Sequence, residues 1–311
     1  MKDREKVIVV AGPTASGKTS LGVDLALALG AEIVSADSMQ VYRGMDVGTA
    51  KPTMEERKGI AHHLLDVVDP DEAFNAATFC FMARAVVRDI CARGRVCLVV
   101  GGTGLYIKSL LGGLFACPPV DQELRRSLVR ECDVQGSRIL HERLSRLDPE
   151  TAGRIHPNDG VRITRALEIL HLTHRRPSEL TREHSFGDRP LKALKIGLEI
   201  ERERLYHRIN ERSAAMVEKG LVEETRNLLD KGYSEDLKPM KAIGYSHVIK
   251  YLKGDWRLDE AILGIQRDTR RYAKRQLTWF RADQEVQWIA PEDRDQILER
   301  TRGFWFGEAG G

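Results

Sequence analysis

Several features that would place a chain in a special class are missing from this one. Cysteine is sparse: Cys80, Cys91, Cys97, Cys117 and Cys132 are odd in number and form no C-x-x-C pair. That argues against a disulfide framework or a thiolate zinc site, and for reduced thiols in a cytosolic protein. No apolar run approaches the length of a membrane span, so no contact with a bilayer is expected. The opening MKDREK is charged and runs directly into an apolar segment, from which no secretory leader is expected. Aromatic residues make up 6% of the chain, and 49 Lys and Arg against 46 Asp and Glu leave a net charge of only +3. No global field therefore demands nucleic acid, and any basic surface must come from local clustering. With no internal repeat or low-complexity segment, and with 42% hydrophobic and 31% charged residues, the composition is that of a soluble globular enzyme. Its 311 residues suffice for one large domain or two unequal ones.

The strongest positive signal lies at residues 7–19, VIVVAGPTASGKT. Four β-branched residues, Val7 to Val10, predict a buried parallel strand. Gly12, Pro13, Thr14, Ala15, Ser16, Gly17, Lys18 and Thr19 follow as a G-x-x-x-x-G-K-[ST] phosphate loop, and Ser20 to Leu29 has helical spacing. Glycines let successive N–H groups face one anion, and the helix N-terminus adds the positive end of its dipole. Lys18 supplies a charge for the outer phosphate, and the Thr19 hydroxyl can hold Mg²⁺. The motif fixes a phosphate ligand without naming it.

Further strands are expected at 31–38, 63–68, 96–100 and 194–200, with helices at 53–58, 75–92 and 106–111. Strands alternating with helices, each strand ending in a polar or glycine loop, predict an α/β fold. Its core is a parallel sheet of the P-loop NTPase type, with the ligand at the C-terminal strand ends. The pattern changes near Cys117-Pro118-Pro119: residues 121–185 show only helical periodicity with many charges. This predicts an all-helical insertion at 121–185 in a core made of 1–120 and 186–311. Residues 201–284 are mostly helical, and the tail after Glu285 gives weak signals.

Three groups carry chemistry. Asp37, at the end of the second strand, has two plausible tasks, holding Mg²⁺ or accepting a proton from a nucleophile, beside the simpler one of capping a helix. The strand VCLVV ends in Gly101-Gly102-Thr103-Gly104 rather than in the Asp that a motor ATPase uses for metal and water. Thr103 can donate to a phosphate or leaving oxygen, although GGTG also suits a tight turn with a Thr cap. Finally, RDTRRYAKRQLTWFR (267–281) interleaves basic and aromatic residues. Such a helix suits an RNA strand, with guanidiniums on phosphates and rings for bases, or is simply a solvated basic face with the aromatics in the core. The pair His62 and His63 has no third ligand at metal spacing and is assigned to hydrogen bonding.

Taken together, GPTASGKT, ADSMQVYRGMDVGTAKP, VGGTGLY, HPNDGVRITRALEI, KAIGY and TRRYAKRQLTWFR, in this order over residues 7–285, resemble the tRNA dimethylallyltransferases. The resemblance is to the bacterial type, since the C-terminal zinc finger of eukaryotic relatives has no Cys/His counterpart here. It implies transfer of a dimethylallyl group from dimethylallyl diphosphate to N6 of the adenosine 3′-adjacent to the anticodon. The phosphate loop and Mg²⁺ would hold the diphosphate, an expectation that includes nucleotide (ATP) binding at the same loop. Asp37 matches the family's general base, and Thr103 its hydroxyl aimed at the bridging oxygen. Asp37, Ser38, Met39 and Gln40 would meet a flipped adenine, and Thr103 would also touch tRNA. By family position Arg125, then Val161, Arg162, Ile163, Thr164 and Arg165, would touch tRNA. So would Lys241, Ala242, Ile243, Gly244, Tyr245 and Ser246. The last stretch is Lys274, Arg275, Gln276, Leu277, Thr278, Trp279, Phe280 and Arg281. Arg208 and Arg212 are further candidates for diphosphate contact. The partners implied are tRNA and dimethylallyl diphosphate, in a cytoplasmic protein for which a monomer is favoured.

Two rivals remain at this point. A small-molecule kinase of the shikimate or gluconate type also pairs a phosphate loop with an Asp-bearing strand, but the basic aromatic helix and the helical insertion favour RNA. An RNA-binding nucleotide switch is weakened by the missing carboxylate after VCLVV.

Overall fold

The computed structural model describes residues 4–114, 121–184 and 187–307. The chain divides into two compact units, Met1–Leu111 with Pro190–Gly311, and Gly112–Arg189. The junction expected at Cys117-Pro118-Pro119, and the end of the expected insertion at Ser185, lie outside the described residues.

In the larger unit β1 (Glu5–Ala11) leads through the phosphate loop into α1 (Lys18–Leu29), followed by β2 (Ala31–Ser35) and β3 (His62–His63). Helix α2 (Ala76–Ala92), β4 (Val96–Gly101) and α3 (Gly104–Gly112) complete its first half. The smaller unit holds α4 (Gln122–Gln135), α5 (Ser137–Leu147), α6 (Pro149–Gly153), α7 (Gly160–Thr173) and α8 (Pro177–His184), and no strand among the described residues. Leu128, Leu140, Leu144, Ile163 and Leu167 form its core. The chain re-enters the sheet as β5 (Leu191–Leu198). It continues through α9 (Arg202–Glu218), α10 (Leu221–Asp230), α11 (Tyr245–Leu252) and α12 (Leu258–Arg281) to β6 (Val286–Ile289) and α13 (Arg294–Phe306).

The six strands pair in parallel in the order β3-β2-β4-β1-β5-β6. Along β1, Val7 and Val9 belong to one buried cluster and Ile8 and Val10 to another. An unbroken apolar run is what a parallel strand covered on both faces requires. The order also positions the site. β4 lies between β1 and β2, with Ala11 opposite Gly101 and Ser35 opposite Val100. The loops that follow these three strands, carrying the phosphate loop, Asp37 and GGTG, therefore open side by side at one sheet edge.

The elements differ from expectation at their limits. β2 stops at Ser35, two residues before Asp37. The expected strand at 63–68 shrinks to His62–His63, because Leu64 and Asp66 take left-handed conformations (φ 63° and 55°), leaving only a bridge between Tyr42 and Val68. Residues 53–58 form turns instead of a helix, ended by left-handed backbone at Lys58 (φ 49°) and Gly59 (φ 76°). The weakly signalled tail supplies the edge strand β6 and α13, whose Ile297 is fully buried. No helix among the described residues is long and apolar enough to cross a membrane.

A polar pin closes the sheet's other end. Glu32 on β2, 6% exposed, accepts from His63 Nε2 at 2.8 Å and from Arg93 Nη2 at 2.9 Å. Hydrogen bonds from Arg93 outweigh burial and hold its carboxyl at about 2. Because the folded-state pKa is depressed, this stabilisation is complete above the ordinary carboxylate pKa of 4.5 and is lost as pH falls toward 2. Glu32→Gln should cost about 2 kcal/mol at neutral pH and flatten the loss of stability between pH 4.5 and 2. Urea unfolding across that range checks both; a variant with the wild-type pH profile would contradict the pin.

Candidate functional site

The phosphate loop is curled so that its amides at the helix start face outward, while those of Thr14 and Ser16 are taken by Gln276 Oε1 and Pro13 O. Ala15 and Gly17 take left-handed backbone (φ 63° and 92°), the kind of turn that brings successive N–H groups round to one side. Gly17 is also the N-cap of α1 and provides no side chain to cap it, so the first-turn N–H groups of the helix are left for an anion. The Ser16 hydroxyl is buried without a protein partner. These groups line a cavity of about 790 Å³, together with Lys18, Thr19, Asp37, Gln40, Gly102, Arg208 and Arg212.

Charge is concentrated here. Lys18 Nζ donates to Pro13 O at 2.5 Å. Although the residue retains some solvent contact, the crowding around its ammonium, with repulsion from Arg212, lowers its pKa to about 7 against the pull of Asp37. Arg212 is likewise lowered by burial, and its guanidinium donates to the Thr14 hydroxyl. Arg208, four residues earlier on α9, lies 3.8 Å from Glu292 on the cavity rim.

Asp37 Oδ1 accepts from the N–H groups of Met39 (2.8 Å) and Gln40 (3.3 Å). The capping role open to it in the sequence is thus realised as a side-chain turn instead of a helix cap. Its Oδ2 has no protein partner among the described residues. Thr103 Oγ1 accepts from Ser38 N–H at 3.1 Å, and Thr103 N–H donates to Ala36 O at 3.1 Å, so the second and fourth strands deliver Asp37 and Thr103 as neighbours.

Helix α12 lies over the phosphate loop and the GGTG loop. Gln276, 6% exposed, accepts from Thr14 N–H at 2.8 Å and donates to Gly102 O at 2.9 Å. The glycines of GGTG admit this helix: a Cβ on Gly102 would stand 2.2 Å from Gln276 Nε2, and one on Gly104 2.1 Å from Trp279 Cδ1. Tyr272, one turn before Gln276, meets Thr103 and Gln276; burial raises its phenol to about 12, with Asp37 adding to the shift and those hydrogen bonds opposing it. Among the aromatics interleaved in 267–281, Tyr272 is the one that meets the Thr103 hydroxyl. The i, i+4, i+7 spacing of Tyr272, Gln276 and Trp279 was the signal for this.

Residues assigned to RNA divide by exposure. Lys274, Arg275, Thr278, Trp279 and Arg281 are exposed on α12, and Leu277 is half-buried. Arg267 and Arg271 pair with Asp268 (3.0 and 3.1 Å), and Arg270 donates to Asn210 Oδ1 (2.6 Å). In the smaller unit Arg125 and Arg165 share the buried Glu168, each 2.8 Å from its Oε2, while Val161 and Arg162 are exposed. The side chains of Ile163, Thr164, Tyr245 and Phe280 are core groups, at 0%, 8%, 0% and 4% exposure, because each falls on the apolar face of its helix. None of these four side chains is exposed at the surface. Gly244 and Gln276 are buried as well, Ala242, Ile243 and Ser246 are half-buried, and Lys241 is exposed beside Asp236 (2.9 Å). His62 and His63 sit away from the cavity lining, His62 bonded to Ile60 O (2.9 Å) and His63 to Glu32.

A parallel sheet with an uncapped helix start behind a glycine-rich loop defines a phosphate-loop protein of the α/β class. A family model described as IPP transferase matches residues 40–283. The tRNA dimethylallyltransferase of Geobacter metallireducens is 50% identical over 308 residues, covering 98% of this chain and all of that one. That of Syntrophobacter fumaroxidans is 52% identical over 294 residues, 94% of this chain and 86% of the other. Among solved structures, the full-length tRNA isopentenylpyrophosphate transferase of Bacillus halodurans is similar with a TM-score of 0.72, 42% identity and 96% coverage of both chains. A eukaryotic dimethylallyltransferase acting on tRNA gives a TM-score of 0.77 at 28% identity, covering 96% of this chain and 78% of that one. The chain belongs to the IPP transferase family, the tRNA dimethylallyltransferases.

Lys18 makes the cradle sensitive to pH. A diphosphate placed there would favour the charged ammonium, raising the lysine pKa from about 7 and drawing a proton from solvent. At about pH 8 binding of an alkyl diphosphate should take up about one proton, and affinity should fall as pH rises above 7. Calorimetry in buffers of different ionisation enthalpy reads this directly. Buffer-independent heats, or uptake that survives in Lys18→Met, would contradict it.

Proposed function

We propose that the chain transfers a dimethylallyl group from dimethylallyl diphosphate to N6 of the adenosine 3′-adjacent to the anticodon in tRNA. The observation that carries this reading is Asp37 on the wall of the cavity that also contains the phosphate loop, with Thr103 tied by its bond from Ser38 N–H to the residue next to Asp37. A base, a hydroxyl donor and an anion cradle are then within reach of one small substrate.

The diphosphate would lie on the loop amides with Lys18, Arg212 and, further out, Arg208. An exocyclic adenine amine is a poor nucleophile, since its lone pair is delocalised into the ring. As the N6–C bond forms, the nitrogen becomes acidic, and the proton passes to Asp37 Oδ2. The allylic C–O bond breaks, and its electron pair remains on the bridging oxygen of the departing diphosphate. Thr103 is suited to this oxygen: with Oγ1 accepting from Ser38, its proton can turn from Tyr272, which it also meets, to the departing oxygen. Lys18 and the loop amides oppose the charge that develops there, and such preorganised electrostatics are usually the largest contribution in a site of this kind.

Thr19, exposed at the cavity, is suited to Mg²⁺, which prefers hard oxygen ligands and readily completes its shell with phosphate and water. The described residues include no cluster of three or more His, Cys, Asp or Glu that could hold a metal, so the ion would be shared with the diphosphate. Bound there, Mg²⁺ would neutralise part of the leaving group's charge. The exposed basic edge of α12, with Trp279 beside it, suits an RNA backbone and an unstacked base, and the cytoplasm is where such a substrate is met.

Incubating the protein with radiolabelled dimethylallyl diphosphate and unmodified tRNA tests the reading: label should enter the RNA. A small-molecule kinase or a nucleotide switch would leave the RNA unlabelled. Asp37→Asn, which retains the turn, should lower turnover by at least about 100-fold while leaving tRNA affinity within about twofold. An equal loss of binding would assign Asp37 to recognition instead.

A further inference from the structure

Away from the cavity wall, one carboxylate gathers four donors. Glu224 on α10 accepts from the N–H groups of Asp46 (2.9 Å) and Val47 (2.7 Å) on Oε2 and of Gly48 (3.0 Å) on Oε1. The Tyr245 hydroxyl donates to the same Oε1 at 2.6 Å. Three successive amides around one anion form a nest, and bonds to an ionised acceptor are the strong ones. Tyr245 is fully buried, and burial beside the Glu224 carboxylate raises its phenol far above the ordinary range, so it stays a donor. Gly48 lies flat against its ring, where a Cβ would stand 2.5 Å from Cζ. At the far end of the turn the buried Lys51 donates to Tyr42 O at 2.9 Å and pairs with Asp46 and Asp66.

The turn so held continues directly to the cavity. The carbonyls of Thr49 and Ala50 take the amide N–H groups of Gln40 at 3.3 and 3.2 Å, and Ser35 donates to Gln40 Oε1 at 3.2 Å. Gln40 lines the cavity, and its backbone N–H is one of the two donors that orient Asp37 Oδ1. From α10 to the carboxylate the links are these hydrogen bonds, joined by the backbone from Gly48 to Ala50 and by Gln40 itself.

We infer that Glu224 and Tyr245 are positioning residues for the transfer reaction. They hold the 46–48 turn, the turn fixes Gln40, and Gln40 fixes the direction of Asp37. This rests on the proposed reaction. It also gives Tyr245 a task that a core side chain can perform, which RNA contact is not. None of these bonds touches the phosphate loop, so the pair should act on turnover and leave donor binding alone.

The test uses the full chain with Glu224→Gln and Tyr245→Phe, assayed for label transfer to tRNA and for amide hydrogen exchange. Glu224→Gln should lower kcat about tenfold and Tyr245→Phe by less, with KM for dimethylallyl diphosphate within about twofold of wild type. The double variant should be no worse than Glu224→Gln, because both act through one nest. Exchange should quicken at residues 46–48 and at Gln40, and stay unchanged in α1. Faster exchange with wild-type kcat would make the nest purely structural and overturn the inference, as would a donor KM that rises in step with the loss of kcat. If Glu224→Gln does not fold, the same split in Tyr245→Phe decides. Wild-type protein that labels no tRNA would overturn the proposed reaction and this role with it, an outcome distinct from a loss confined to the variants.

Discussion

The side-chain amide of Gln276 joins two loops that the sheet places side by side but does not itself bond together. Its oxygen takes the Thr14 N–H of the phosphate loop, and its nitrogen gives a hydrogen to Gly102 O at the end of β4. Both bonds form in a space too small for a Cβ at residue 102. Losing one partner would leave a buried polar group unpaired, which costs more than the bond itself contributes. The shape of the anion cradle is thereby made to depend on a helix some 260 residues further along the chain. That helix also carries Lys274, Arg275 and Trp279 on its outer side. The same element that closes the donor site is the one whose surface suits RNA, so in the proposed reaction donor and acceptor are registered against one rigid body.

Electrostatics within the cavity follow from crowding. Lys18 and Arg212 are both cations whose charged forms are disfavoured by burial, and each is partly compensated by Asp37. A cradle with more positive charge than its own carboxylate balances is suited to an anion. In the proposed reaction the diphosphate brings that charge, and it gains more on leaving, so the cations are best satisfied late in the transfer. Asp37 is held by two backbone amides on one oxygen and left open on the other, an arrangement that fixes direction without using up the basic lone pairs.

Much of this was legible in the residues. VIVVAGPTASGKT dictates a strand, an anion loop and a helix by local chemistry alone, and β1 and α1 form there. GGTG was open to two readings, a tight turn or a phosphate contact. The structure gives the glycines a third task, close approach of α12, which no local pattern encodes because the partner is distant in sequence. Tyr245 and Phe280 lie within motifs assigned to RNA, and both sit on the apolar faces of their helices, Phe280 as the alternative of aromatics in the core had it. β6 and α13 were missed since an edge strand of four residues and a charged helix give little periodic signal; packing against β5 and α1 makes them form. The expected strand at 63–68 failed for a backbone reason, two left-handed residues that are neither Gly nor Asn.

If Gln276 sets the cradle, its loss must be felt by the simplest anion the cradle can hold. Titration calorimetry of inorganic pyrophosphate into Gln276→Leu, beside wild type, isolates that effect from RNA and from chemistry. The account predicts affinity weaker by about tenfold, with the fold intact by circular dichroism. Pyrophosphate bound as tightly as by wild type would show that the loop holds its shape without α12, and would contradict the account at its centre.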